Sequence, residues 1–217
     1  YEERLFSMAE YGRDINEEDI LYGSSTDHQY MMEWEKTYME KCVDFMKPYG
    51  DVLEVGWGMG YSATQIMKWK PSSYTVLEPD PVVYNRAVEW AKDYSNVTVL
   101  QQAWPDTTGL FKYDSFFFDP YLEGDLSDVT INNCAVTYFV VECVKKLARK
   151  RTRFSFYCSS QGNDMHDWGR NLYSVLESLP EGTQFGINIK PYDAEVPDHC
   201  NYCKTGWLYL PVVSVVQ

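Results

Sequence analysis

Short apolar runs alternate with helical periodicities along most of this chain. The apolar runs fall at 51–55, 74–77, 97–100, 113–118, 153–158, 185–190 and 206–216. Runs of this length, rich in Val, Leu, Phe and Tyr, read as buried strands. Between them, 61–68, 81–94, 133–149 and 168–179 read as helices. An earlier helix is expected over 31–46, where Met31, Trp34, Tyr38, Cys42 and Met46 recur at helical spacing until Pro48-Tyr49-Gly50 stops it. Asp80 stands where it would cap the helix that Pro81 opens. Strands alternating with helices imply an α/β fold, a doubly wound sheet of seven strands, mostly parallel with an antiparallel last strand.

Residues 1–30 are polar and acidic, without a clear period, and are expected to lie over the sheet as part of an N-terminal helical lid. The expected division is 1–50, lid and helix, packed on 51–217, the ligand-binding domain. The chain opens on Tyr1 rather than Met, as expected of a trimmed chain or a piece of a longer protein.

The chemistry begins at Val52-Leu53-Glu54-Val55-Gly56-Trp57-Gly58-Met59-Gly60, a strand running into a glycine turn and then a helix. Glycine lets backbone approach a ligand where a Cβ would collide. The next strand ends at Glu78, about 20 residues on, where an acid would grip the two hydroxyls of a ribose. The sheet is therefore expected to be Rossmann-like, with a nucleoside-containing cofactor at the carboxyl ends of its strands. Glu54 narrows the choice of cofactor. A carboxylate beside a pyrophosphate is repelled, whereas one beside the sulfonium and ammonium of S-adenosylmethionine is attracted. A Rossmann-like sheet that binds NAD, or nothing, is the alternative.

Further candidates stand at the other strand ends: Gln102, Ala103 and Trp104 after the third, Asp119, Pro120 and Tyr121 after the fourth, and Ser159 and Ser160 after the fifth. Asp119 is placed to accept a proton from a nitrogen nucleophile, and a loop-capping role is its alternative. Asp119-Pro120-Tyr121 also has a likeness to the Asp-Pro-Pro-Tyr of adenine amino-methyltransferases. The formal charge of −13 argues against that reading, because a nucleic-acid partner calls for a basic face. The six cysteines are scattered, several in apolar segments, as in buried thiols of a reducing compartment. His199-Cys200-x-x-Cys203 is half of a zinc pattern, and no second pair matches it, so no metal is expected. No apolar run is long enough to span a bilayer and no signal peptide is evident, so a cytoplasmic enzyme without membrane or nucleic-acid partners is expected.

The run Leu53-Glu54-Val55-Gly56-x-Gly58-x-Gly60 resembles the first motif of class I methyltransferases. A longer order of motifs resembles the guanidinoacetate N-methyltransferase family. It comprises Met31-x-x-Trp34-Glu35-x-x-Tyr38-Met39, the glycine turn with Met59, Phe117-Phe118-Asp119-x-Tyr121 and Val196-Pro197-x-x-Cys200-x-Tyr202. The resemblance implies that Glu35 and Asp119 hold a guanidino group, with Asp119 taking the proton. It implies that Glu54, Gly56, Gly58, Met59, Glu78, Gln102, Ala103 and Trp104 line the S-adenosylmethionine site. Trp34, Tyr38, Tyr121, Ser159 and Ser160 would line the acceptor's side.

Three segments depart from the family pattern: Pro120-Tyr121-Leu122-Glu123 after the fourth strand, Ser159-Ser160-Gln161-Gly162 after the fifth, and Leu147-Ala148-Arg149-Lys150-Arg151 before it. These departures touch the half of the site that chooses the acceptor's tail. The expected acceptor is guanidinoacetate or a related small guanidine. Another amine, a phenol or a protein arginine stays open, although the short chain has no room for the extra barrel expected of protein arginine methyltransferases. A catalytically silent binding module is the remaining alternative.

Overall fold

A computed structural model describes residues 8–24, 28–104, 106–120, 136, 139–158, 183–203 and 206–216. The expected helix at 168–179 lies outside the described residues, as do Tyr121, Ser159 and Ser160. Three short strands come first: β1 (Ala9–Arg13), β2 (Asp19–Gly23) and β3 (Gln29–Met32). They form an antiparallel sheet of their own. Then follow α1 (Glu35–Met46), β4 (Asp51–Val55), α2 (Tyr61–Lys68), β5 (Ser73–Leu77), α3 (Pro81–Ala91), β6 (Val97–Leu100) and β7 (Tyr113–Phe118). A π-helical turn (Val140–Val144) leads into α4 (Lys145–Leu147), and β8 (Ala148–Phe156), β9 (Gln184–Asp193) and β10 (Trp207–Val216) complete the chain.

The main sheet has the order β6-β5-β4-β7-β8-β10-β9. Its strands are parallel from β6 to β8, and β10 runs antiparallel to both β8 and β9. This is the seven-stranded, doubly wound sheet that the alternation of apolar runs implied. Alternation along each strand sorts side chains to two faces. Val52, Tyr74, Val76 and Phe117 join one buried cluster with α1 and α2, whereas Leu53, Val55, Leu77, Phe116 and Phe118 join a second cluster on the opposite face. Each fully buried Leu or Phe stabilises the fold by about 1.5–3 kcal/mol relative to its exposed state.

Three expectations need correction. The described part of residues 1–30 is not irregular and forms no helix: it holds β1 and β2 and begins β3. Met31 and Met32 belong to β3, so α1 starts only at Glu35. β8 begins at Ala148 rather than Arg153, because Arg149 reaches across to Asp51 and Asp114 with 2.6 Å contacts to both. The charged run that reads as a turn is thus the start of a strand. The N-terminal sheet is not separate from the main body. Ala9, Ile20, Leu21, Met31 and Met32 share the cluster of α1 and α2.

Candidate active site

The ends of β4, β5 and β7 meet at one edge. The Gly56 N–H donates to the Leu77 carbonyl at 2.9 Å, and the Asp119 N–H donates to the Val55 carbonyl at 2.9 Å. Gly56 has φ +83°, and a Cβ there would lie 2.4 Å from the Asp119 carbonyl oxygen. Only glycine allows the two strand ends to close up in this way. The turn then crosses to α2 through Gly60, whose φ of +74° precedes the first helical residue.

Glu78 faces this turn. Its Oε2 accepts from the Trp57 N–H and its Oε1 from the Asp80 N–H, both at 3.0 Å. Burial pushes its carboxyl up despite those bonds. The Gly58 N–H also bears on this carboxyl, and since a carboxylate has about four acceptor sites, acceptor capacity remains for a ligand's hydroxyl. Between these strand ends and the N-terminal sheet lies a cavity of about 430 Å³, within the ordinary range of ligand pockets. Gly56, Gly58, Glu78, Ala103, Trp104 and Asp119 line it from the main sheet; Ala9, Leu21, Tyr30 and Met31 line it from the N-terminal segment. That segment also grips the turn itself. The Tyr11 hydroxyl donates to the Gly58 carbonyl at 2.6 Å, and the Met59 N–H donates to Met31 Sδ at 3.4 Å. Ala9 N–H binds the Asp80 carboxylate at 2.9 Å, the same carboxylate that caps α3.

A second set of groups borders Asp119. Glu35 opens α1 and is only 3 % exposed. Its Oε1 accepts from the Met32 N–H at 3.1 Å and from the Tyr202 phenol. Burial first, and then the negative charge of Asp119, push the Glu35 carboxyl up to about 8. Asp119 is pushed up to about 7 by burial. Among the described residues no Lys, Arg or His forms an ion pair with either carboxyl. Around them stand Trp34, stacked on Tyr202 with ring centres 6.2 Å apart, and Tyr157. Among the described residues the buried Trp34 Nε1 has no hydrogen-bond partner.

The structure thus brings Glu35 and Asp119 together, and gathers Gly56, Gly58, Glu78, Ala103 and Trp104 on the cavity wall. It places other candidates elsewhere. Glu54 points into the face shared with α1 and α2, where the Tyr74 hydroxyl donates to its Oε2. Burial pushes its carboxyl far above the usual range, and Asp119 and Glu78 add to this. Gln102 is half-buried and donates to the Asp106 carbonyl at 2.5 Å, so it braces the following loop. Met59 meets Met31 through its backbone. Tyr38 is fully buried; its hydroxyl donates to the Tyr209 carbonyl at 2.9 Å and accepts from the Cys158 N–H at 2.9 Å. It anchors α1 to β10 and to the end of β8 instead of lining the cavity.

Sequence reasoning passed over Tyr11 and Tyr157, and read Asp80 only as a helix cap. Tyr202 it met only as part of the run from Val196, which was the signal available. Among the described residues no group of three or more His, Cys, Asp or Glu is arranged to hold a metal ion. No described helix is long and apolar enough to cross a membrane.

The guanidinoacetate N-methyltransferase family matches residues 8–212. Protein arginine N-methyltransferase 2 of Yarrowia lipolytica is 33 % identical over 167 residues, which are 68 % of this chain and 35 % of that protein. The protein of the same name from Saccharomyces cerevisiae is 26 % identical over 132 residues, 52 % of this chain and 32 % of its own length. The chain therefore spans about a third of the length of these curated relatives. Among solved structures, M. jannaschii TYW2 in complex with AdoMet superimposes with a TM-score of 0.59 at 12 % identity, over 96 % of this chain and 86 % of that one. The N-methyltransferase NodS from Bradyrhizobium japonicum, in complex with S-adenosyl-L-homocysteine, gives 0.56 at 12 % identity, over 85 % and 88 %. The fold is that of class I S-adenosylmethionine-dependent methyltransferases, and the chain belongs to the guanidinoacetate N-methyltransferase family.

Proposed function

We propose that this chain methylates a guanidino nitrogen, with S-adenosylmethionine as methyl donor. The observation that carries this reading is the pair Glu35 and Asp119. Two carboxyls within electrostatic reach of each other, Glu35 buried and Asp119 half-buried on the cavity wall, with no cationic partner among the described residues, cost the fold several kcal/mol in desolvation. A guanidinium repays that cost. It is planar and cationic, and its N–H groups fork onto carboxylates.

The residues at the glycine turn fit the cofactor. The cradle at Gly56 would be filled by any Cβ, and the Glu78 carboxylate on the cavity wall keeps acceptor capacity for a ribose. Gly56, Gly58, Glu78, Ala103 and Trp104 would hold S-adenosylmethionine, with Glu54 behind them. When bound, the cofactor supplies an electrophilic methyl group.

The chain's own residues supply orientation and a base. Glu35 and Asp119 fix the plane of the guanidino group. A guanidinium is a poor nucleophile until a nitrogen loses its proton. Asp119, pushed up to about 7, is matched to take that proton near neutral pH. The walls formed by Trp34, Tyr157 and the N-terminal sheet keep water from the pair.

A small guanidine such as guanidinoacetate is the acceptor that the family match favours. An arginine side chain carries the same guanidino group, and the two named protein arginine N-methyltransferases favour that second reading. Chain length does not decide between them, because those relatives match over only a third of their own length. Mass spectrometry of methylation reactions on guanidinoacetate, other small guanidines, arginine-containing peptides and simple amines separates the cases. Methylated guanidines of either kind support the proposal. Methylation of amines or phenols alone, or no S-adenosylmethionine binding by calorimetry, overturns it.

A further inference from the structure

We propose that Tyr202 is a positioning residue for the acceptor, its phenol holding Glu35 in the orientation that receives the guanidino group. This rests on the guanidino reading above. The Met32 N–H and the Tyr202 O–H converge on the same oxygen, Glu35 Oε1, and no described group bonds Oε2. One oxygen is therefore committed to the protein, and the other is left to accept from an N–H of the acceptor.

A residue that only filled space here would need no hydroxyl. The Tyr202 ring already packs on Trp34, between the buried Cys200 and Cys203. The loop that carries Tyr202 is latched to the N-terminal sheet at several points. His199 Nε2 meets the Asp14 carboxylate at 2.7 Å, Gln29 Nε2 donates to the His199 carbonyl at 3.0 Å, and the Asn201 N–H donates to Gln29 Oε1 at 2.6 Å. The phenol is thus fixed relative to both α1 and the segment that walls the cofactor cavity. A donor fixed in this way can set a carboxylate's direction without touching the acceptor.

The test is Tyr202→Phe, which keeps the ring and removes the donor. Loss of one hydrogen bond to a charged group lowers kcat/KM for a guanidino acceptor by about 10- to 100-fold. The larger share falls on kcat, because a guanidinium still binds two carboxylates but in poorer alignment. Affinity for S-adenosylmethionine stays unchanged. The titratable groups facing Glu35 are Asp119 at the end of β7, Tyr157 after β8, Tyr61 at the start of α2 and Tyr202 itself; the variant alters only the last. Because a donor favours the ionised carboxylate, Glu35 titrates at higher pH in the variant. Carboxyl-selective NMR of the free protein reads that shift without any acceptor.

In a Glu35→Gln background, Tyr202→Phe adds little further loss, because its effect runs through the Glu35 carboxylate. Tyr49→Phe, which removes a phenol bonded to the exposed Arg151 carbonyl, changes none of these readouts. An unchanged Glu35 titration, an unchanged kcat/KM, or fully additive losses in the double variant overturns the proposal. Failure of the wild type to methylate any guanidine sinks the functional reading instead, and the NMR titration still judges Tyr202.

Discussion

Glu35→Gln is expected to stabilise the free protein at mildly alkaline pH while abolishing its function. In the fold the Glu35 carboxyl is pushed from its ordinary 4.5 up to about 8 by burial and by Asp119. A carboxyl raised on folding contributes stability that is complete below its unfolded pKa and is lost as pH rises through the folded one. The slope in that window is about 1.4 kcal/mol per pH unit for one group. Between pH 6 and 8, Glu35 therefore costs the folded state on the order of 2 kcal/mol, and above 8 the loss levels off. Glutamine removes this titration but keeps the local bonds, since its Oε1 still accepts from the Met32 N–H and the Tyr202 phenol. Other shifted groups, among them Glu54, Glu78 and Asp14, remain in both proteins, so the difference between wild type and variant isolates Glu35. Urea unfolding at pH 6, 7, 8 and 9 measures it. The stability difference in favour of the variant should grow by about 2 kcal/mol up to pH 8 and then flatten. A difference that stays within about 0.5 kcal/mol across the series refutes the picture of an unpaired, buried acid, since surface changes alone stay in that range.

Three further outcomes follow from the geometry. Gly56→Ala places a Cβ against the Asp119 carbonyl at positive φ, and should cost about 2–4 kcal/mol in urea unfolding together with measurable S-adenosylmethionine binding. Glu78→Gln keeps an acceptor for one of the two backbone N–H groups and loses the other, and should weaken S-adenosylmethionine binding by calorimetry about 10-fold or more. Tyr38→Phe removes the buried hydroxyl that accepts from the Cys158 N–H and donates to the Tyr209 carbonyl; a destabilisation of about 1–3 kcal/mol by urea unfolding, with cofactor affinity intact, is the expected result.

The parts of this molecule that were legible in sequence share a physical cause. β4, β7, α2 and β6 were found at their observed ends: β4 and β7 are buried apolar runs and α2 an amphipathic turn, set off by Gly50, Gly56, Gly60 and Asp119, and β6 is a half-buried apolar run after Asn96. The glycine turn and Glu78 were legible because backbone approach demands glycine and the parallel sheet fixes the distance to the next strand end. The N-terminal sheet was not legible. Its strands are only four or five residues long, and the connection between β1 and β2 carries no glycine. Glu17 takes the positive φ there, at 62°, and the Asp14 side chain bonds the Asn16 and Glu18 N–H groups at 2.8 and 3.0 Å. Met31 fitted a helical period by coincidence with the true α1 stripe of Tyr38, Met39, Cys42, Val43 and Met46. The direction of Glu54 follows from strand alternation: Val52 and Glu54 face the helices α1 and α2, whereas Leu53 and Val55 face the other side. The bond between Tyr202 and Glu35 joins residues 167 positions apart, and only the folded chain brings them together.

The measurement that tests the central claim most directly is methyl transfer by wild type and Asp119→Asn, followed by mass spectrometry on guanidinoacetate and on an arginine-containing peptide. Wild type should methylate a guanidino nitrogen in at least one of them. Loss of the base should lower kcat by about 10²- to 10⁴-fold without preventing S-adenosylmethionine binding. Full turnover by Asp119→Asn, or a wild type that methylates neither acceptor while binding the cofactor, contradicts the account.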